Sequence, residues 1–143
     1  MRLKIIIFSY ERKEMLLSLI EEVNIYDYMI IDDGSSFTID NNFYQFEHGG
    51  KSKFWRIWDY ALRNLKNDKS DIFLFIPSDV SNVDFNGIIK RHNQFNFNPY
   101  VYNVINDGRT HCWNMVKPVR IDDNTNRVGF TDCGFFCNKA TLN

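Results

Sequence analysis

A chain of 143 residues with 17 Lys+Arg against 18 Asp+Glu has a net charge of -1, which supplies no long-range attraction to DNA, RNA or an anionic membrane. Any nucleotide bound here is a small one. The length suits a single domain, 1–143, and no run reaches the roughly 20 apolar residues of a transmembrane segment.

Leu3 to Phe8 is a short β-branched strand; Tyr10-Glu11-Arg12-Lys13-Glu14 interrupts it too early for a signal peptide. Glu11 to Val23 then reads as a helix, with Met15, Leu16, Leu19, Ile20 and Val23 on one stripe. Tyr28-Met29-Ile30-Ile31 is apolar enough for a strand buried on both faces, and it stops abruptly at Asp32-Asp33-Gly34-Ser35-Ser36. The opening is therefore a βαβ unit, and its acids stand at a strand's carboxyl end, where open α/β sheets bind ligands.

Phe43 to Phe46 suits a short third strand, broken by Gly49-Gly50. Ser52 to Leu65 carries the best helical stripe, with Ser52 the expected N-cap. Asp71 to Ile76 is a further buried strand ending in Pro77-Ser78-Asp79, so a second strand end offers an acid to the same crevice. Asp84 to Phe95 reads as a weaker helix and Tyr100 to Ile105 as a strand. Trp113 to Val119 and Gly129 to Phe136 are further strands, with a loop over 122–126 between them. The last residues, Lys139 to Asn143, look like the first turn of an unfinished helix, as in a truncated domain.

Asp32 and Asp33 can accept hydrogen bonds from a base imide or ribose hydroxyls, with Ser35 adding a hydroxyl and Gly34 letting backbone approach. The bland alternative is a polar turn that caps the next element. Asp79 is placed to hold Mn2+ or Mg2+, hard cations bound by one or two carboxylates with substrate phosphates. Gly49-Gly50-Lys51-Ser52-Lys53 lacks the spacing of a phosphate loop. As a glycine turn feeding a helix, with Lys51, Lys53 and Arg56, it suits an anion. His48, His92 and His111 share no metal-ligand spacing, and Cys112, Cys133 and Cys137 read as buried thiols of a reducing compartment. Asp132, in an apolar late segment, is a base candidate because burial raises a carboxyl's pKa.

Ile5-Ile6-Ile7-Phe8-Ser9-Tyr10-Glu11-Arg12 followed by Ile30-Ile31-Asp32-Asp33-Gly34-Ser35 resembles the opening of the family 2 glycosyltransferases. Phe73 to Asp79 stands in the place of that family's metal-binding Asp-x-Asp strand end, and Asp132 to Lys139 looks like its later glycine-containing strand. The resemblance implies an α/β fold, a GT-A-like Rossmann-type sandwich with a mixed, mainly parallel central sheet flanked by helices. It implies a transferase of polysaccharide or glycan biosynthesis that moves a sugar from a nucleotide-diphospho-sugar to an acceptor hydroxyl, with inversion. Ser9, Tyr10, Arg12, Asp32, Asp33, Lys53 and Ser78 become donor contacts, Asp79 the metal acid and Asp132 the substitute base.

The implied partners are the nucleotide-sugar donor and a glycan, lipid-linked or protein acceptor. No nucleic acid is implied, and the implied location is cytoplasmic or peripheral to a membrane. Pro77 replaces the usual first acid of the metal motif and Glu11 the usual Asn of the first turn. A sugar-phosphate nucleotidyltransferase, a receiver-like signalling domain and a degenerate binding-only transferase are the competing readings. The first lacks its basic glycine loop, and the second wants its acidic pair after the first strand.

Overall fold

A computed structural model of the chain describes residues 2–39, 41–95, 100–102, 104–106, 109–111, 119–122, 125–127 and 135–138, with side chains described over 2–39, 41–50 and 52–90. The β-branched and aromatic runs become the central strands and the apolar stripes become the helices. In chain order these are β1 (Leu3–Ser9), α1 (Lys13–Val23), β2 (Asp27–Asp32), β3 (Phe43–Gln45), α2 (Trp55–Leu65), β4 (Ile72–Pro77) and α3 (Phe85–Phe95). Short strands come after them: β5 (Tyr100–Tyr102), β6 (Val104–Asn106), β7 (Arg109–His111), β8 (Val119–Asp122), β9 (Thr125–Arg127) and β10 (Phe135–Asn138).

The main sheet runs β3-β2-β1-β4-β10-β5-β9-β8. Its first four strands are parallel, whereas β10 joins β4 antiparallel and the rest continue antiparallel. The expected mixed α/β, Rossmann-like sandwich is thus observed, with an all-parallel four-stranded centre. Because the chain steps outward from β1 to β3 and then returns to the other side of β1, the strand order reverses between β1 and β4. A crevice opens at the carboxyl ends of the strands at such a point.

Alternation along the strands divides the core in two. Leu3, Ile5 and Ile7 of β1 pack with Leu16, Leu19 and Val23 of α1 and with Phe85 and Ile88 of α3. Ile6 of β1 turns to the opposite face with Met29, Ile31, Phe73 and Phe75, against Ile57, Ala61 and Leu65 of α2. Ile7 is opposite Ile30 on one side and Ile76 on the other, and each such fully buried side chain contributes roughly 1.5–3 kcal/mol.

Several boundaries differ from expectation for local reasons. The first helix begins at Lys13 rather than Glu11, because Glu11 and Arg12 both take left-handed backbone, φ 52 and 57. The second begins at Trp55, after a 3-10 turn over Lys51–Lys53. Ser52 is therefore not its N-cap, and its hydroxyl donates to the Gly49 carbonyl at 3.4 Å. The stripe is also narrower than it reads, since Phe54, Trp55 and Leu62 are exposed, as is Met15 of α1. Asp84 precedes α3 and accepts the Gly87 N–H at 2.8 Å, a side-chain cap.

The single strand expected over Tyr100–Ile105 is two, in different sheets, with β6 pairing β7. Asp122, Thr125 and Asn126 of the loop expected over 122–126 belong instead to strands, β8 pairing β9 antiparallel, and residues 123 and 124 lie outside the described residues. Residues 113–118 and 129–134 of the two late strand expectations lie outside the described residues, as do Cys112 and Cys133.

Candidate functional site

Four chain turns converge at the carboxyl edge of the parallel strands. Backbone hydrogen bonds continue the sheet into them: Asp33 N–H to Ser9 O at 2.8 Å, Ser78 N–H to Phe8 O at 2.9 Å and Phe46 N–H to Asp32 O at 2.9 Å. Ser9, Asp32, Asp33, Ser35 and Ser78 are all buried there.

The two acids of the second turn serve different neighbours. Asp32, fully buried, accepts from Ser35 N–H at 2.7 Å, Ser35 Oγ at 2.5 Å and Gln45 Nε2 at 3.1 Å. That set closes the turn on itself. Asp33 instead faces the glycine loop, accepting from Gly49 N–H and Gly50 N–H at 3.2 Å each and from Arg56 Nη2 at 3.0 Å. His48 Nδ1 lies 3.2 Å from the same carboxylate and 3.0 Å from the Asp33 carbonyl oxygen, which can only accept. The loop's Gly49 and Gly50 amides and Arg56 are engaged by the protein's own Asp33. Lys53 remains exposed, at the end of the 3-10 turn that precedes α2.

Gly34 is required twice over in this arrangement. Its φ is +82, and a Cβ there would stand 2.3 Å from His48 N and 2.9 Å from Phe46 O. The acidic turn and the 46–48 backbone meet at a distance that only a hydrogen side chain permits.

The first turn is strained and cross-linked. Glu11 N–H donates to Ser35 Oγ at 2.6 Å, and its carboxylate accepts from Ser36 N–H at 2.9 Å and Ser36 Oγ at 3.0 Å. These bonds hold two successive left-handed residues in a region that side chains disfavour. Tyr10 stays 46% exposed and stacks on His48, with ring centroids 4.3 Å apart and planes 14° from parallel. Arg12 reaches across from the first turn to pair with Asp79 after β4, so that this ion pair bridges the reversal point. Ser9, 3% exposed, has a buried Oγ with no hydrogen-bond partner among the described residues.

Of the residues expected from sequence, Ser9, Tyr10, Arg12, Asp32, Asp33, Ser78 and Asp79 come together at this edge. Asp132 lies outside the described residues. Gln45, Glu11 and His48 are parts of the site that sequence reading left unassigned; the Gly49-Gly50 break was the nearest signal, since it forces the chain back over the acidic turn.

A divalent cation finds a poor fit. Pro77 gives no ligand, the Asp79 carboxylate is already paired with Arg12, and Asp33 is held by the glycine loop. Among the described residues no group of three or more His, Cys, Asp or Glu is placed to hold a metal ion.

No protein-family model matches the chain, and no curated protein matches it. Among solved structures, A197 from STIV is similar, at a TM-score of 0.60 and 18% identity over 99% of this chain and 67% of that one. A second is the 1–349 piece of TarS from S. aureus, at a TM-score of 0.51 and 14% identity over 69% of this chain and 34% of that one. At these identities the likeness is one of fold. No helix among the described residues is long and apolar enough to cross a membrane. Topology and structural neighbours agree on a Rossmann-like α/β domain.

Proposed function

We propose that the chain binds a nucleotide-diphospho-sugar at the carboxyl edge of β1, β2 and β4 and transfers its sugar to an acceptor hydroxyl. The observation that carries this reading is the reversal point itself. An exposed aromatic stack, Tyr10 on His48, stands beside a buried free hydroxyl, Ser9, and a charged pair, Arg12–Asp79. The stack offers a flat apolar face to a base, and hydroxyl and guanidinium suit ribose and phosphate oxygens.

Transfer would proceed by attack of the acceptor oxygen on the anomeric carbon, breaking the bond to the diphosphate, which leaves with the electron pair. The acceptor proton passes to a base, for which Asp132 is the candidate. Inversion results from a single displacement. A lipid-linked, glycan or protein acceptor is equally compatible with a crevice open at the strand ends.

Asp32 and Asp33 act in this reading chiefly as organisers, since their carboxylates are already hydrogen-bonded within the protein. That feature, with the lone paired acid after β4, also favours a second reading in which the domain binds donor without transferring it.

Calorimetric titration with UDP, GDP, CDP and TDP tests the donor site. Saturable binding of one of them, weakened by Tyr10→Ala, is the expected result; absence of binding by any of the four to folded protein removes the proposal. Release of diphosphate from the matching sugar nucleotide in the presence of acceptor separates transfer from binding alone.

A further inference from the structure

The pair between Arg12 and Asp79 is costly in backbone terms and poor in stability terms. Its side chains are 56% and 37% exposed, a setting in which ion pairs contribute little. Yet Arg12 adopts φ 57, ψ 46 directly before α1, a conformation uncommon for a residue with a side chain. The Glu11 bonds to Ser35 and Ser36 fix that backbone and so present the Arg12 side chain at the reversal point, and a backbone outlier held in this way points to functional positioning.

We infer that Arg12 is the cation that meets the donor's diphosphate, and that Asp79 is an internal counter-ion which the guanidinium leaves when the diphosphate arrives. This rests on the donor-site reading above. Four observations carry it. Arg12 caps the amino end of α1 without any side-chain hydrogen bond to the helix, so the positive end of the helix dipole opens beside its guanidinium.

The Ser9 hydroxyl, without a hydrogen-bond partner among the described residues, is the second. Ser9 stands two positions after Ile7 in β1, so its side chain lies on the sheet face that α1 covers, beneath the same helix end. The third is the state of the other basic groups. Arg56 is committed to Asp33, Lys13 lies over the Phe37 ring at 5.8 Å, and Lys53 is exposed by the glycine loop near Gly49, away from the β4 turn that carries Asp79. The fourth is Pro77, which leaves Asp79 as the acid of the β4 turn. A divalent cation placed on Asp79 would have to displace Arg12 or sit against its like charge. Arg12 therefore occupies the electrostatic place for which an acid pair would recruit a metal, and its planar fork matches phosphate oxygens.

The test is calorimetric binding of UDP, GDP, CDP, TDP and inorganic pyrophosphate in EDTA and in Mn2+, on wild type, Arg12→Ala, Arg12→Lys and Asp79→Asn, each first checked by circular dichroism. Binding that EDTA leaves unchanged is the expected result. Arg12→Ala should weaken it by about ten- to a hundredfold, as for loss of a charged hydrogen bond, with Arg12→Lys intermediate. Asp79→Asn should tighten it by about two- to fivefold, because the competing partner is gone. Binding that requires Mn2+ and is lost in Asp79→Asn overturns the inference and leaves the donor site standing. So does EDTA-insensitive binding that Arg12→Ala leaves intact. No binding by any probe in either condition overturns both.

Discussion

The two edges of the parallel sheet are built on opposite plans. At the amino edge, Lys4 Nζ of β1 lies 2.9 Å from Asp27 of β2 and 3.0 Å from Asp68 before β4. Arg2 N–H donates to Asp71 at 2.8 Å and the Arg2 carbonyl accepts from Asp71 and Ile72 N–H. No described residue between Arg2 and Ser9 has a positive φ. At the carboxyl edge the backbone is left-handed at Glu11, Arg12 and Gly34, a buried hydroxyl lacks a described partner, and an aromatic ring stays in water. The same strands feed both edges, so the difference lies in the turns: one edge uses its charges to hold strands together, and the other stores strain around the point where the strand order reverses.

The comparison breaks most severely at Gly34. Gly34→Ala combines a left-handed backbone with a clash against His48 backbone, and a loss of about 4 kcal/mol is expected from strain and overpacking together. Thermal and urea unfolding read it directly. Retention of wild-type stability would mean that the acidic turn and the 46–48 segment separate freely. Asp33→Asn comes next, removing the anion from the Gly49–Gly50–Arg56 cradle at an expected cost of about 2–3 kcal/mol. Because only the loop depends on that carboxylate, the variant should expose the 46–50 amides to hydrogen exchange while β1 stays protected.

The amino edge sharpens the contrast through pH. Burial works against a charged Lys4, but its hydrogen bonds and attraction to Asp27 and Asp68 raise its pKa above the ordinary 10.5. Burial likewise works against Asp68, yet hydrogen bonds from Ser70 and Lys4 hold it below the ordinary 3.8. The raised lysine contributes stability that is complete below pH 10.5 and is lost as pH rises through its folded pKa. The depressed carboxylate contributes stability that is complete above pH 3.8 and is lost as pH falls through its folded pKa. Lys4→Met should remove about 1 kcal/mol between these limits and flatten both limbs of a stability curve against pH, without changing nucleotide binding.

The smallest effect on stability is expected at Tyr10. Tyr10→Ala gives up an exposed ring contact worth about 0.5–1 kcal/mol, but base stacking of roughly 1–3 kcal/mol would be lost, a five- to hundredfold weakening of nucleoside diphosphate binding. Equal binding by Tyr10→Ala would move the base elsewhere in the crevice.

Range along the chain decides which features were legible in the sequence. Ile5-Ile6-Ile7 and Phe73-Leu74-Phe75 announce buried strands because burial on both faces demands continuous apolar residues. The Leu16, Leu19 and Val23 spacing likewise announces α1. The carboxyl-edge cluster was legible as a group of residues, since each stands directly after an apolar run. Its wiring was not, because nothing in Asp32-Asp33 tells which acid closes its own turn and which receives Gly49 and Gly50. The left-handed pair at Glu11 and Arg12 was hidden for the same reason, being held by Ser35 and Ser36, which stand 24 and 25 residues later. The break between β5 and β6 depends on a hairpin partner, β7, that local pattern cannot name.

One topological feature bears on how the chain is made. The antiparallel neighbour of β4 is β10, formed by residues 135–138, whereas β4 ends at Pro77. On a ribosome adding 5–20 residues per second, roughly 3–12 s pass between the two. Throughout that interval β4 offers the unpaired polar groups of an apolar edge. Nascent-chain crowding during those seconds, rather than the finished domain, is where this protein is most open to strand capture by a neighbour.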